Sequence, residues 1–579
     1  MEELDELNIS PGRAPVAGLD TSTQRHQKET LLKHTPKKAG RSALPALNAI
    51  AAAMLVCHGT QAAQIDTGNP DLKLRWDNTF RYTAAARVKD RDPRVFGGAA
   101  TDKYAAGATR DINADDGDRN FSKGLISNRL DVLSEIDLTW GDYGARVSAA
   151  AWYDDVYNRS NDNDSPATVN KLSGAYNEFN SGTRSLHGRK AEFLDAFVFG
   201  KFNAGDMPLS LRLGRYAQLY GESLFFGSNG IAAGMAPTDI IKLQSVPTAT
   251  AKETTLPVGQ LGAQLQISPA LTLGGYYQFE WRKNRFPGVG SYFSTTDFIF
   301  PGAEMGYFGP FRIPKAADQE ARNSGQFGLQ LRYSPESVDA TFGLYAIRYH
   351  DKSPRLYLSV APGAAGTYRE AYHEGIQAYG ASFSTNVGDA AIAGEVSYRR
   401  NAALVSLSQP ATAGFDNADN PGYAVGSSAH ANLNVFYTLP RTSIWDGGSL
   451  LAEIAFNRRL GIDKRPVALD PNTSRDATAL RVVFSPQFLN VYPGLDLSTP
   501  VGVGYGVSGK SSVVSGFSVL HGGDVSIGLN ATYEQVWDMR LNYVHYLGTP
   551  GPSSINGSST FLQPLKDRNF VSLSVQRAF

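Results

Sequence analysis

The sequence predicts an all-β protein: a transmembrane, up-and-down antiparallel β-barrel of about 18 strands, with 16 as the alternative count. Three observations predict it. Apolar and polar residues alternate along one segment after another. The connections between segments alternate between short turns and long loops. The last such segment ends the chain on Phe579. A period of two gives a strand two unlike faces. One face here carries charge and the other carries none, as in a barrel with lipid outside and water inside.

The composition agrees. Of 579 residues only 19% are charged, and Lys+Arg equals Asp+Glu at 55 each, so neither a nucleic-acid surface nor an acidic tail is indicated. The 58 Gly, 27 Tyr and 29 Phe suit tight turns, strands and interfacial aromatic belts. No run of roughly 18 apolar residues occurs, which excludes spanning helices. Spanning strands escape that test, because only every second residue need be apolar.

Residues 1–63 read as a polar extension followed by a secretory signal. Lys37, Lys38 and Arg41 precede the mostly apolar Ala43–Val56, and Thr60-Gln61-Ala62-Ala63 offers cleavage after Ala62 or Ala63. Residues 64–579 are then one barrel domain, expected in the outer membrane of a Gram-negative bacterium. The single cysteine, Cys57, falls in the leader. The mature domain is therefore expected to lack disulfides and thiolate metal sites, which suits an oxidising periplasm.

The first predicted strand is Leu72–Val88. Leu72, Leu74, Trp76, Phe80 and Tyr82 share one face, and Lys73, Arg75, Asp77, Thr79 and Arg81 the other. It is longer than the roughly 9–11 tilted residues a bilayer crossing takes. A hairpin follows, from Leu130 to Trp140, through Gly141–Gly144, and back along Val147, Ala149, Ala151 and Tyr153. Further strands are predicted near 191–202, 208–220, 258–268, 271–282, 325–333, 338–349, 375–385 and 390–400. The last seven fall near 428–438, 449–457, 477–485, 494–505, 523–533, 538–548 and 568–579. In 258–282 the alternation sets Leu261, Leu265, Leu273, Tyr277, Phe279 and Trp281 toward lipid and Gln260, Gln278, Glu280 and Arg282 toward the lumen. Short periplasmic turns and long external loops are the outer-membrane pattern. The final strand alternates Val571, Leu573 and Val575 and ends on Phe579, an assembly signal for the barrel-assembly machinery. Arg577 takes a slot that is usually apolar and is expected to snorkel at the rim.

The long connection 221–257 holds Phe225, Phe226, Ile231 and Met235 and is less polar than an exposed loop should be. It either folds into the lumen and constricts it around a hydrophobic solute, or packs on its own apolar side chains. The lumen or constriction candidates are Glu222, Asp239, Lys242, Lys252 and Glu253, with Glu280 and Arg282 on the neighbouring strand. Charges inside a barrel tune selectivity or pair for stability. Asp111, Asn113 and Asp115 place oxygens at alternate positions, as calcium would require. The glycine is displaced by one residue, however, and Ser122 stands where a Glu should close the loop, so a solvated acidic turn is expected and no metal. Six histidines scattered through residues 64–579, no Gly-x-Ser-x-Gly elbow and no phosphate-binding loop indicate neither an enzyme nor a cofactor.

Several stretches then carry a resemblance. Leu74-Arg-Trp-Asp-Asn-Thr-Phe80 is followed by Asp115-Asp-Gly-Asp-Arg-Asn-Phe121, Gly214-Arg215 and Gly221-Glu222-Ser223. Glu280-Trp-Arg282, Gly290-Ser-Tyr-Phe-Ser-Thr-Thr-Asp297, Tyr349-His350 and Gly394-Glu-Val-Ser-Tyr-Arg399 come after. In this order they resemble the proteobacterial outer-membrane family called domain of unknown function thirteen-oh-two, from about residue 65 to the end. Tyr216 and Tyr220 depart from it, standing where Gln and Trp are expected. The resemblance implies an outer-membrane barrel surrounded by outer-membrane lipid. It also implies company: a LolB-like periplasmic lipid-binding protein and an inner-membrane lipid exporter. The expected function is transport or export of a hydrophobic or amphipathic solute. The alternatives are an envelope assembly or anchor protein with a plugged lumen, and a general diffusion porin.

Overall fold

Strand alternation fixes which side chains can share a face, and pairing decides which faces close. A computed structural model describes residues 63–96, 112–246, 248, 251–308, 311–359, 366–410, 414–555 and 557–579. The amino-terminal unit Met1–His58, and with it the expected signal segment, lies outside the described residues.

Among the described residues, eighteen antiparallel strands close into one barrel. They are Leu72–Arg87 (β1), Gly124–Trp140 (β2), Tyr143–Asp154 (β3), Arg189–Ala204 (β4), Met207–Tyr216 (β5) and Val258–Ser268 (β6). Leu271–Gln278 (β7), Gln326–Tyr333 (β8), Ala340–Tyr349 (β9), Ile376–Val387 (β10), Ala390–Ala403 (β11) and Val425–Thr438 (β12) follow. Gly447–Lys464 (β13), Asp476–Tyr492 (β14), β15 in two pieces (Leu495–Ser498 and Val501–Gly509), Gly523–Tyr533 (β16), Trp537–Leu547 (β17) and Phe570–Ala578 (β18) complete the wall. Each strand pairs with its neighbours in sequence, and β1 closes the ring on β18 from Thr79↔Ala578 to Arg87↔Phe570. Closure removes the free edges that an open sheet would expose. The short strand Ala63–Ile65 continues the seam along Trp76, Arg75 and Leu74, beyond the end of β18.

The two faces of the wall differ as the alternation requires. On β11, Val396 is 57% exposed while Glu395 beside it is 4% exposed. Phe193, Val198, Leu213, Leu329, Leu344 and Leu433 are likewise exposed on the outer face. An apolar band of this extent is unfavourable in water and favourable in a bilayer. Trp140, Tyr143 and Phe202 stand at the short-turn end, with Tyr143 and Phe202 edge to face at 5.6 Å. At the same end Arg577 lies between the rings of Trp537 (4.9 Å) and Phe579 (4.6 Å). Those rings offset the loss of an apolar group at that position. Phe579 itself is tied to Asn78 by two backbone hydrogen bonds of 2.9 and 3.1 Å.

Several boundaries differ from the expectation, and β5 stops at Tyr216, short of residue 220. β7 ends at Gln278, short of Arg282. Trp281, expected to face lipid, is 7% exposed and packs edge to face on Tyr372 at 4.9 Å. Its backbone N–H donates to Asn323 Oδ1. Long-range packing of the 279–325 connection thus overrides an alternation that sequence alone would continue. β13 and β14 run several residues past their expected ends, because β12 supplies β13 with ladder partners out to Val425↔Lys464 and β15 supplies β14 with partners out to Tyr492↔Leu495.

Candidate functional site

The segment that leaves β5 after Tyr216 enters the barrel. Its apolar anchor is a cluster of Tyr220, Ile231 and Met235 with Tyr276, Tyr345, Ile347 and Tyr349 from the inner faces of β7 and β9. Tyr220 lies edge to face with Tyr276 at 5.5 Å. Both sequence departures, Tyr216 and Tyr220, are buried, and the second is part of this anchor.

Polar contacts then hold residues 221–234 against β11, β12 and β13. The Glu395 carboxylate accepts N–H bonds from Glu222 (2.6 Å) and Ile231 (2.9 Å). Glu453 accepts from the backbone N–H groups of Phe225 and Phe226 and from Asn432 Nδ2. The Arg399 guanidinium donates to the carbonyls of Ser228, Asn229 and Gly230. Asn229 donates to Asn432 Oδ1 (2.8 Å) and meets the His430 ring at 3.0 Å. Hydrogen bonds to ionised groups are the strong ones. Glycine is required at 221, because its φ is +88° and a Cβ there would collide with Glu395 Oε2.

The second half of the insert is a short helix, Ile240–Ser245. Asp239 caps it by accepting from the Lys242 N–H and pairs with Arg285 at 3.1 Å. Arg285 pairs in turn with Glu192 on β4 at 2.6 Å. Between the insert, the 284–300 stretch and the inner faces of β14–β17 lies a cavity of about 660 Å³. Phe225, Phe226, Phe286, Phe298, Phe300 and Phe517 are among its lining residues. Its charged lining residues form one ion pair, Arg481–Asp524 at 2.6 Å, and Gln244, Asn284 and Gln563 add neutral polar groups. Arg481 reaches from β14 to β16 across Gly504 of β15, where a Cβ would come within 2.4 Å of the guanidinium. The cavity is therefore mostly apolar with a few placed polar groups, the usual make-up of a small-molecule site.

A sequence profile described as Protein of unknown function (DUF1302) matches residues 44–579. The chain belongs to that family. No curated protein matches it. Among solved structures it is similar to OccAB4 of Acinetobacter baumannii: 10% identity, TM-score 0.39, covering 90% of this chain and 99% of that one. It is also similar to OccK2 (OpdF) of Pseudomonas aeruginosa in complex with glucuronate: 10% identity, TM-score 0.38, covering 87% and 98%. A third is Salmonella typhi OmpF in complex with daunomycin: 8% identity, TM-score 0.35, covering 89% and 100%.

The candidate residues of this DUF1302 barrel are not all brought together. Glu222, Asp239 and Lys242 belong to the insert within the lumen, and Lys242 Nζ donates to the Glu253 carbonyl at 2.8 Å. Glu253 is exposed, and the side chain of Lys252 lies outside the described residues. Glu280 and Arg282 lie past the end of β7, where Glu280 pairs with Arg215 at 2.5 Å and accepts the Gly259 N–H. Arg215 shares the outer face of Leu213, so Glu280 meets it at the rim and does not line the lumen. Glu395, Arg399 and Glu453, which hold the insert, were not singled out from sequence as site residues. Their inward positions were legible from the alternation, but their partners lie more than 160 residues away.

A second polar cluster caps the long-loop end. Arg87 bridges Asp118 (2.7 Å) and Asp567 (3.1 Å), all with fully buried side chains. Arg568 donates to the carbonyls of Tyr292 and Ser294, and Asp297 accepts the Asp116 N–H. Of the calcium candidates, Asp111 lies outside the described residues. Asn113 is bonded to the backbone of Tyr307, and Asp115 to Arg119 and Thr168. The turn is thus buried by other loops, contrary to the solvated turn expected from sequence. Among the described residues no group of three or more His, Cys, Asp or Glu is placed to hold a metal.

Burial pushes Asp116 up to about 6, and burial with the neighbouring Asp118 charge pushes Asp567 up to about 8. Arg87 and Arg568 hold Asp118 below the usual carboxylate range in spite of its burial. Elsewhere, His373 links loops by accepting from the Tyr423 hydroxyl and donating to the Asn401 carbonyl, and burial pushes it down to about 4. The two regions should respond to pH in opposite senses. The folded cap holds protons that an opened cap releases, so it loosens as pH rises from near 4 through 8. An opened His373 gains a proton near its ordinary 6.5. That brace is at full strength above this pH and weakens as pH falls toward 4. Hydrogen exchange at pH 5 and pH 8, corrected for intrinsic rates, should show residues 112–123 better protected at pH 5 and residues 372–376 better protected at pH 8.

Proposed function

We propose that this barrel is an outer-membrane channel that moves a hydrophobic or amphipathic solute. The observation that carries this reading is the insert, which narrows the lumen and walls a cavity lined by eight phenylalanines beside a single ion pair. A general diffusion pore has no use for such a surface, because sugars and ions gain nothing from aromatic rings. Membership in the family is consistent with a supply route through a periplasmic lipid-binding protein and an inner-membrane lipid exporter. The number of bonds holding the insert favours a second reading, an envelope anchor whose lumen is plugged.

Proteoliposomes separate these readings. Release of an entrapped aromatic solute should outpace that of a sugar of similar mass. Equal rates would indicate a general diffusion pore. No release of either, beside an active porin control, would indicate a plugged barrel.

A further inference from the structure

We infer that the aromatic cavity binds an uncharged, flat apolar molecule bearing a hydroxyl group, and that this hydroxyl donates to the Asp524 carboxylate. The inference rests on the channel reading and names the chemical class of the solute. Charge decides the first part. Arg481 and Asp524 are the charged residues on the cavity wall, and each is the other's partner at 2.6 Å. Their charges cancel. An ion that left water for this pocket would lose its hydration and meet no net opposite charge, which is costly. An uncharged apolar molecule gives up little hydration and gains from burial.

Shape decides the second part. Phe225 and Phe226 of the insert and Phe286, Phe293, Phe298 and Phe300 of the 284–300 stretch bring aromatic rings to the cavity. Phe286 and Phe300 stack at 4.1 Å with 13° between their planes. The barrel side contributes Gly504 and Gly506 of β15, and Gly522 and Gly523 where β16 begins. Bare backbone there lets a flat body lie close to the wall, with rings on the other side to stack on it or meet it edge-on. A volume of about 660 Å³ suits one small molecule.

The polar end follows from what is already bonded. Asn284 accepts the Thr238 N–H and donates to the Ser353 hydroxyl. Gln563 donates to the Gly523 and Leu547 carbonyls and accepts the Leu565 N–H. The Ser294 and Ser553 hydroxyls donate to the carbonyls of Thr296 and Thr295. Asp524 differs. Among the described residues its carboxylate accepts only from Arg481, through Nη1 at 3.3 Å and Nη2 at 2.6 Å. A carboxylate offers about four lone-pair sites, so acceptor capacity is left over. The side chain is 15% exposed, which leaves it within reach of a ligand. Arg481 holds the group in place, and a hydroxyl donating to an ionised acceptor makes the stronger kind of bond. An ether or hydrocarbon of the same shape cannot make it.

The test uses four probes built on one naphthalene body: 2-naphthol, 2-methoxynaphthalene, 2-naphthalenesulfonate and 2-naphthylmethylammonium. Calorimetry at neutral pH follows their binding to the full chain in lipid nanodiscs, with empty nanodiscs subtracting partition into lipid. 2-Naphthol should bind about tenfold or more tightly than 2-methoxynaphthalene, and both charged probes more weakly than 2-naphthol. The Arg481→Met, Asp524→Leu double variant removes both charges together, a change that buried pairs often tolerate. It should keep its folded, heat-modifiable mobility and bind 2-naphthol and 2-methoxynaphthalene alike. Asp524→Asn leaves Arg481 without its counter-charge, so the sulfonate should overtake the ammonium probe. Four results would overturn the inference: no hydroxyl preference in the wild type, tighter binding of a charged probe, binding of no probe, or a hydroxyl preference that survives the double variant. An unchanged charge order in Asp524→Asn would also overturn it. A hydroxyl preference without flux in proteoliposomes would leave it standing and remove the channel reading. Flux without a hydroxyl preference would do the reverse.

Discussion

Replacing Glu395 and Glu453 together by alanine should raise the single-channel conductance of the reconstituted protein severalfold. Each carboxyl accepts two backbone N–H bonds from the insert, and each such bond is worth about 1 kcal/mol. Four come to about 4 kcal/mol, roughly a thousandfold in the ratio of seated to released insert. The insert should therefore leave its seat far more often, with Arg399 and the Tyr220–Met235 anchor as its remaining holds. The wall should survive, because its ladder pairs on β11 and β13 are backbone bonds that the substitutions leave in place. Planar-bilayer recording of the double variant beside the wild type measures the effect. Heat-modifiable mobility reports that the barrel has formed. An unchanged conductance in a folded variant would mean that residues 221–234 do not set the narrowest passage.

Arg87→Met should destabilise the loop cap by about 3–5 kcal/mol, the cost of breaking a buried ion pair from one side. Arg87 is the cation between Asp118 and Asp567, and none of the three side chains reaches water. Methionine fills much of the volume but leaves the two carboxyls without that partner, so the segments around 112–123 and 548–569 should open together. Arg94→Met is the matched control. Arg94 also pairs with a carboxylate, Asp92, at 2.7 Å, but its side chain is 67% exposed, so solvent screens the pair and its loss should leave the cap as stable as before. Limited proteolysis of intact barrels should cleave the Arg87 variant within the cap at least tenfold faster and leave the Arg94 variant at the wild-type rate. Equal rates for both variants would show that the cap is held by its packing alone.

The wall was legible residue by residue. All eighteen strands overlap the segments where the alternation puts them, since a period of two needs only each residue's near neighbours. Leu213, Leu261 and Val396 face out and Arg81, Gln278 and Glu395 face in for the same local reason. The candidate site was legible in part. The apolar character of 221–257 marked it as unlike an exposed loop, yet the two readings of that character, lumen insert or self-packed loop, stayed even.

What the sequence by itself determined is therefore the closed wall, its apolar band and its membership in a family of barrels. These follow from patterns a few residues long. What only the tertiary structure decided is where the long connections go: the 221–257 insert inside the lumen, Trp281 turned under a loop, Glu280 paired at the rim, and an acidic turn buried beneath three other loops. Each outcome depends on partners far apart in the chain, such as Glu222 with Glu395 or Arg87 with Asp567. No local periodicity encodes such a meeting. Closure of the barrel brings those residues within hydrogen-bond reach, and burial then makes each unpaired polar group too costly to leave alone.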